Sequence, residues 1–291
     1  DCCDMPVLDQ QVEHPDRSGV GRGGTNLHAA CAFAPAGSAK YIREVSNKSE
    51  LKRVRALHQK KYREEEGVFL VQGVKLVIEL LASGWPVEAI HATVTAAPHV
   101  RHPQLQIWPD YDVERMGTLE HGNEVVAVVK RPDRSQFPPL GIDELVLALD
   151  GIADPGNMGT LLRIADWFGV KRVLCSVDCV EEFNPKCVQA SMGSIFRVEL
   201  HRVHLPRMLD ELRSAGVSLY MATMEGEPVF ELELKRSGVL ILGSESHGPS
   251  DEVRALKARA ISIPRVGGAE SLNVAAAASA LCMEFLRQRL A

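Results

Sequence analysis

The polar residues best suited to chemistry in this 291-residue chain fall in three glycine-containing stretches of its second half: DGIADPGNMGTLLRIADWFG (150–169), LGSESHGPSDE (242–252) and IPRVGGAESLNVAAAA (263–278). In the first, Gly156 and Gly159 allow tight turning and close approach to a ligand, and a helix expected to open near Thr160 would aim unpaired N–H groups at an anion. Arg163, one turn into that helix, would set a charged fork beside the anion, able to hold a phosphate or polarise a hydroxyl. The plainer reading pairs Arg163 with Asp166. In the second stretch Glu245, between Gly243 and Gly248, can accept hydrogen bonds from a base or a catalytic partner, and it equally suits the first turn of a helix opened by Pro249–Asp251. His247 there is a formal candidate for a general base, although a loop histidine is more commonly just solvated. In the third, Ser271 suits the cap of the terminal helix, with Asn273 in the first turn. No His or Asp stands near Ser271 in a triad-like order, so nucleophilic catalysis is not expected. Neither GxGxxG after the first strand of this half nor GxxxxGK[ST] is present, which disfavours a nucleotide-dependent enzyme of the doubly wound type.

Each stretch follows an apolar run that reads as a strand. Strands are expected at ELVLALD, KRVLCSV, SLYMAT, GVLILGS and AISIP, and helices at about 160–168 and at NPKCVQASMGSIF, LPRMLDELRSAG, SDEVRALKA and SLNVAAAASALCMEFLRQRL. Alternating strands and helices imply a largely parallel sheet covered on both faces, with ligands at the carboxyl ends of the strands. Before it, KRPDRSQFPPLG reads as a linker over 131–142, and 40–130 as a smaller α/β unit: a basic helix capped by Ser46 or Asn47, a strand at 68–71, a helix bearing Leu76, Val77, Leu80 and Leu81, and short β-like runs AIHATV, QIWP and EVVAVV. The chain is long enough for two cores. Residues 1–39 show no period and are expected to be a mobile leader without the apolar run of a secretory signal.

Apolar residues form 45% of the chain and charged residues 24%, an ordinary globular balance, and no run is long enough to span a bilayer. Seven cysteines without a CxxC pair suggest reduced thiols and a cytoplasmic protein; Cys175, Cys179, His201 and His204 match no common zinc spacing, so no metal is expected. The net charge of −5 hides an asymmetry, because residues 40–63 hold nine Lys or Arg against two Glu. That segment, with Lys52, Arg53, Arg55, Lys60, Lys61 and Arg63, could meet RNA phosphate, although most charge runs are solvated helix faces.

Taken together and in order, NMGTLLRIADWFG, GSESHG and IPRVGGAESLNVAAAA closely resemble the three motifs of the SpoU (TrmH) family of RNA 2′-O-methyltransferases. The resemblance covers about 145–291, and 46–130 resembles that family's substrate-binding domain, with Gln72-Gly73 in place of its usual Glu-Gly and Arg265 in place of a Met. It implies a C-terminal trefoil knot, S-adenosylmethionine as cofactor, and a homodimer whose site combines residues of both subunits. By motif position it implies a catalytic set of Arg163, Asn157, Glu245, Ser271 and Asn273, and cofactor contacts at Thr223, Gly243, Ile263 and Leu272. A guanidinium holds its proton too tightly to act as a base, so an RNA phosphate or a desolvated site would have to assist Arg163. Structured ribosomal RNA, 23S in particular, is the expected substrate; transfer RNA and a non-catalytic role in ribosome assembly are the alternatives.

Overall fold

Residues 47–119, 122–134, 137–141 and 143–291 are described by the structure, a computed structural model. The expected leader, Cys2, Cys3, Cys31, Lys40, Arg43 and Ser46 lie outside the described residues.

The basic segment folds as two helices, α1 (Lys48–Ala56) and α2 (Lys60–Glu66). Asn47 caps α1, its side chain accepting from the N–H groups of Ser49 (3.1 Å) and Glu50 (3.3 Å). There follow β1 (Val68–Gln72), α3 (Val74–Ser83), β2 (Val87–Ala92), β3 (Leu105–Ile107), α4 (Asp110–Met116) and β4 (Val125–Lys130). The sheet order is β1-β4-β2-β3, with β4 antiparallel to both neighbours and β3 parallel to β2. Strand alternation divides its faces: Val68, Leu70, Val126 and Val128 pack on α1 and α4, around Leu51, Val54, Trp108 and Met116.

The larger sheet comprises β5 (Leu145–Leu149), β6 (Arg172–Cys175), β7 (Glu199–Arg202), β8 (Ser218–Pro228), β9 (Gly238–Leu242) and β10 (Arg259–Ser262). Its order is β10-β8-β9-β5-β6-β7, and every pairing is parallel. β7 is an element the sequence reading missed. Helices α5 (Pro155–Trp167), α6 (Pro185–Ser191) and α9 (Val274–Leu290) cover one face, and α7 (Leu205–Ser214) and α8 (Asp251–Arg254) the other. Accordingly Leu145, Leu147 and Leu149 belong to one cluster, and Val146 and Ala148 to the opposite one.

Each unit has a cluster of its own, and a third cluster spans both. Phe69, Val71, Ala127 and Val129 of the first sheet join Leu147, Phe183 and Val188 in a single cluster. Phe183 stacks at 4.5 Å on Phe69 and lies under the Arg131 guanidinium at 4.7 Å. Across the same seam the buried Arg63 is bound to Glu181, and Arg197 to Glu79 at 2.8 Å. Among the described residues no helix is long and apolar enough to cross a membrane.

Candidate active site

The site begins with a helix that opens earlier than its glycines suggest. Asp154 caps α5, accepting from the Asn157 N–H at 2.8 Å, and Pro155 occupies the first turn, where its missing N–H costs nothing. Gly156, Asn157 and Gly159 therefore lie inside the helix, and Arg163 stands about two turns in, beyond the N-terminal anion position. Asp166 is not its partner: that carboxylate accepts from Ser194 and from Arg197, both at 2.8 Å. The Arg163 side chain is exposed and makes no hydrogen bond or ion pair with the described residues.

The loop after β9 closes on itself, Ser244 and Gly248 exchanging N–H···O bonds of 3.1 and 2.8 Å. A Cβ on Gly243 would stand 2.0 Å from the Pro249 nitrogen, so only glycine permits this closure. Two residues that motif reading did not single out brace the loop: Asp150 accepts from Ser250 N–H at 2.7 Å, and Arg254 donates to the His247 and Pro249 carbonyls at 2.7 and 2.8 Å. A carboxylate immediately after β5 was the available signal for the first; nothing in the spacing pointed to Arg254.

The cap of α9 is Asn273 and not Ser271. Asn273 Oδ1 accepts from Ala275 and Ala276 N–H at 3.0 and 3.3 Å, which leaves its amide nitrogen to donate outward. That nitrogen reaches Glu245 Oε1 at 2.6 Å and Asn157 Oδ1 at 3.1 Å, while Asn157 Nδ2 donates to the same Glu245 oxygen at 2.7 Å. Three residues, one from each of the three glycine-containing stretches, thus form one closed network, with a carboxylate oxygen held by two amides. Ser271 is exposed at the rim of the adjoining cavity, and His247 also lines it.

This cavity, of about 700 Å³, lies against the middle of β8, at Ala222–Glu225, and at the carboxyl ends of β9 and β10. Thr223, Gly243, Ile263 and Leu272 all line it, beside Glu245. Its walls include Leu242, Val274 and Leu281, yet Thr223 Oγ1 is buried there without a hydrogen-bond partner among the described residues. A buried hydroxyl left unpaired costs roughly 1–3 kcal/mol, which a polar ligand atom would relieve. Apolar walls, an orphan hydroxyl and a fixed carboxylate fit an adenosine-like ligand carrying polar substituents. Arg265 also lines the cavity and donates to the Ala269 carbonyl at 3.2 Å, closing the third loop. Arg163 does not line it.

The basic segment divides into buried and exposed cations. Arg63 is 1% exposed and donates to Glu181 and to the Leu57 and His58 carbonyls, both at 2.8 Å, so it is a structural residue and not a phosphate contact. Arg53 is likewise held by Glu66 and Glu88 at 2.6 Å each. Lys60 and Lys61 make only loose exposed pairs with Glu64 and Glu65, at 3.6 and 3.8 Å, while Lys52 and Arg55 are exposed and unpaired among the described residues.

Comparison with known proteins gives two family matches: the SpoU rRNA Methylase family over residues 144–283 and an MRM3-like substrate binding domain over 48–131. The chain is 31% identical over 242 residues to the 23S rRNA (guanosine(2553)-2′-O)-methyltransferase RlmP of Bacillus subtilis, covering 82% of this chain and 96% of that one. Among solved structures it resembles the SpoU methyltransferase AviRb from Streptomyces viridochromogenes in complex with AdoMet (TM-score 0.75, 28% identity, 84% of this chain and 99% of that one). A similar match is the AdoMet-bound rRNA methyltransferase from Sinorhizobium meliloti (TM-score 0.74, 29% identity, 86% and 99%).

Proposed function

The chain belongs to the SpoU rRNA methylase family, and on that premise we propose that it methylates a ribose 2′-hydroxyl of 23S ribosomal RNA, with S-adenosylmethionine as donor. The observation that carries the reading is the cavity against the middle of β8 and the ends of β9 and β10, where the Thr223 hydroxyl lacks a partner among the described residues and Glu245 is fixed at the rim by Asn157 and Asn273. When bound there, S-adenosylmethionine supplies a methyl group on a sulfonium sulfur. The residues of the chain supply orientation and exclusion of water. Thr223 and the strand-end backbone at Gly243 hold the adenosyl part against Ile263 and Leu272. Glu245 keeps one oxygen engaged by the two amides and turns the other toward the incoming nucleotide. Ser271, at the rim, positions the ribose.

Arg163 enters this scheme from a second copy. By helical spacing it shares one side of α5 with Thr160 and Trp167, the latter 82% exposed, and α9, packed on α5, exposes Ala276, Ala280, Met283 and Leu290. An apolar face of this kind suits a homodimer. Arg163 of one subunit then serves the cavity of the other, where it draws a phosphate or the ribose hydroxyl into line. We read the C-terminal segment as knotted, as the family match supports; β10 pairs with β8 at Tyr220–Met221 and again at Glu227–Pro228, so that residues 222–226 of β8 bulge out of the pairing. We also assign residues 48–131 to RNA binding, 143–291 to catalysis, and the cytoplasm as the location.

Calorimetric titration with S-adenosylmethionine tests the cavity. Wild-type protein is expected to bind it, and Thr223→Val to bind about 5- to 150-fold more weakly, since that variant removes the polar partner. A wild-type chain that takes up no donor would overturn the proposal.

A further inference from the structure

We propose that α1, α2 and α4 form a subsite for unpaired RNA, in which a base stacks on Tyr111 while Lys48, Lys52, Arg55 and Arg115 hold the flanking phosphates. The inference rests on the RNA methyltransferase reading and says which surface meets the substrate away from the reacting ribose. A cleft of about 740 Å³ runs between these helices, on the far side of the first sheet from the catalytic unit. Its four cations face a single lining carboxylate, the buried Asp112. None of the four makes an ion pair among the described residues, whereas their neighbours Arg53, Lys60, Lys61 and Arg63 all do.

Aromatic side chains stand among these cations. Tyr111 is 61% exposed and Tyr62 36%, both lining the cleft, while Trp108 forms its floor at 1% exposure. Exposed tyrosines beside unpaired cations are costly decoration for a solvated helix face. They are the composition that binds single strands, where rings stack on bases and cations track the backbone. Duplex RNA offers its bases no such access.

Anisotropy titrations of the whole chain with a short fluorescent single-stranded RNA test this, with Lys171→Ala, an exposed cation of the larger unit, as the control. Tyr111→Ala is expected to weaken binding by roughly 5- to 100-fold, and Tyr111→Phe, which keeps the ring, to stay within about twofold of wild type. The double variant Lys52→Ala/Arg55→Ala should lower the slope of log affinity against log salt by about 1.4, for two lost phosphate contacts. Fully paired RNA should respond to the double variant but not to Tyr111→Ala. Equal affinity of wild type and Tyr111→Ala for the single strand overturns the stacking subsite, and an unchanged salt slope overturns the phosphate contacts. A parallel calorimetric titration with S-adenosylmethionine separates the two readings: donor uptake with RNA binding indifferent to Tyr111 sinks the subsite alone, and absent uptake sinks the methyltransferase reading.

Discussion

One side chain, Asn273, caps a helix with its carbonyl oxygen and grips Glu245 with its amide nitrogen, and the two roles are separable. Asn273→Ser keeps a cap acceptor of similar rank and, being shorter and uncharged, loses the donor to Glu245, so denaturation should move by less than about 1 kcal/mol while kcat/KM falls roughly 10- to 150-fold, the worth of a hydrogen bond to a charged group. A parallel loss of stability and activity would assign Asn273 to the helix alone. The three residues that the structure joins, Asn157, Glu245 and Asn273, were all visible in the motifs, but their division of labour was not: Ser and Asn cap helices equally well, and a spacing of two residues could not choose between Ser271 and Asn273. His91 offers a test in the first sheet. It is fully buried against Trp108, its ring nitrogens have no hydrogen bond, and Glu50, 3.4 Å away, is engaged by Arg53. Burial, with Arg53 adding to it, lowers its pKa to about 4. The unfolded ring takes up its proton near 6.5, so the stabilisation is complete above that pH and falls away as pH drops toward 4, by up to about 3 kcal/mol. Urea unfolding followed from pH 7 to pH 4.5 should show this loss, and His91→Phe should flatten it; an equal slope in both would clear His91 of the effect.

At the level of elements, strands buried on both faces were the easiest to read, because runs such as LVLAL tolerate no other setting. β7 escaped because its short ELHR sequence has one apolar residue in four and lies at the sheet edge. The start of α5 escaped because glycine reads as loop, although Asp154-Pro155 is the stronger signal. Gly159 is there for contact: a Cβ on it would lie 2.5 Å from the Cys187 carbonyl oxygen and 2.7 Å from Ala190 Cβ on α6. Gly159→Ala should therefore push α5 off α6, cost about 1–3 kcal/mol in urea unfolding, and weaken donor binding by displacing Asn157. Wild-type stability in that variant would show that the two helices can separate freely.

For the whole molecule, the sequence indicated two units but not the seam between them. Arg63 read as a surface cation because charge runs usually are solvated, whereas its partner Glu181 lies 118 residues away, beyond any local pattern. The proposed knot and the proposed sharing of a site between subunits are likewise non-local; the first rests on resemblance, the second on resemblance together with an exposed face on α5 and α9. A sharing of sites has a direct consequence for mixed dimers. Arg163→Ala and Glu245→Gln, each inactive alone, should regain activity when refolded together, because one cavity then receives both wild-type residues. Silence in the mixture would place the pair within one subunit. The central claim is methyl transfer to a ribose of ribosomal RNA, and mass spectrometry of nucleosides from 23S RNA incubated with the protein and deuteriomethyl S-adenosylmethionine tests it most directly. Label is expected on a single ribose 2′-oxygen and is absent with Arg163→Ala; label on a base, or none with the wild-type protein, would contradict ribose methylation.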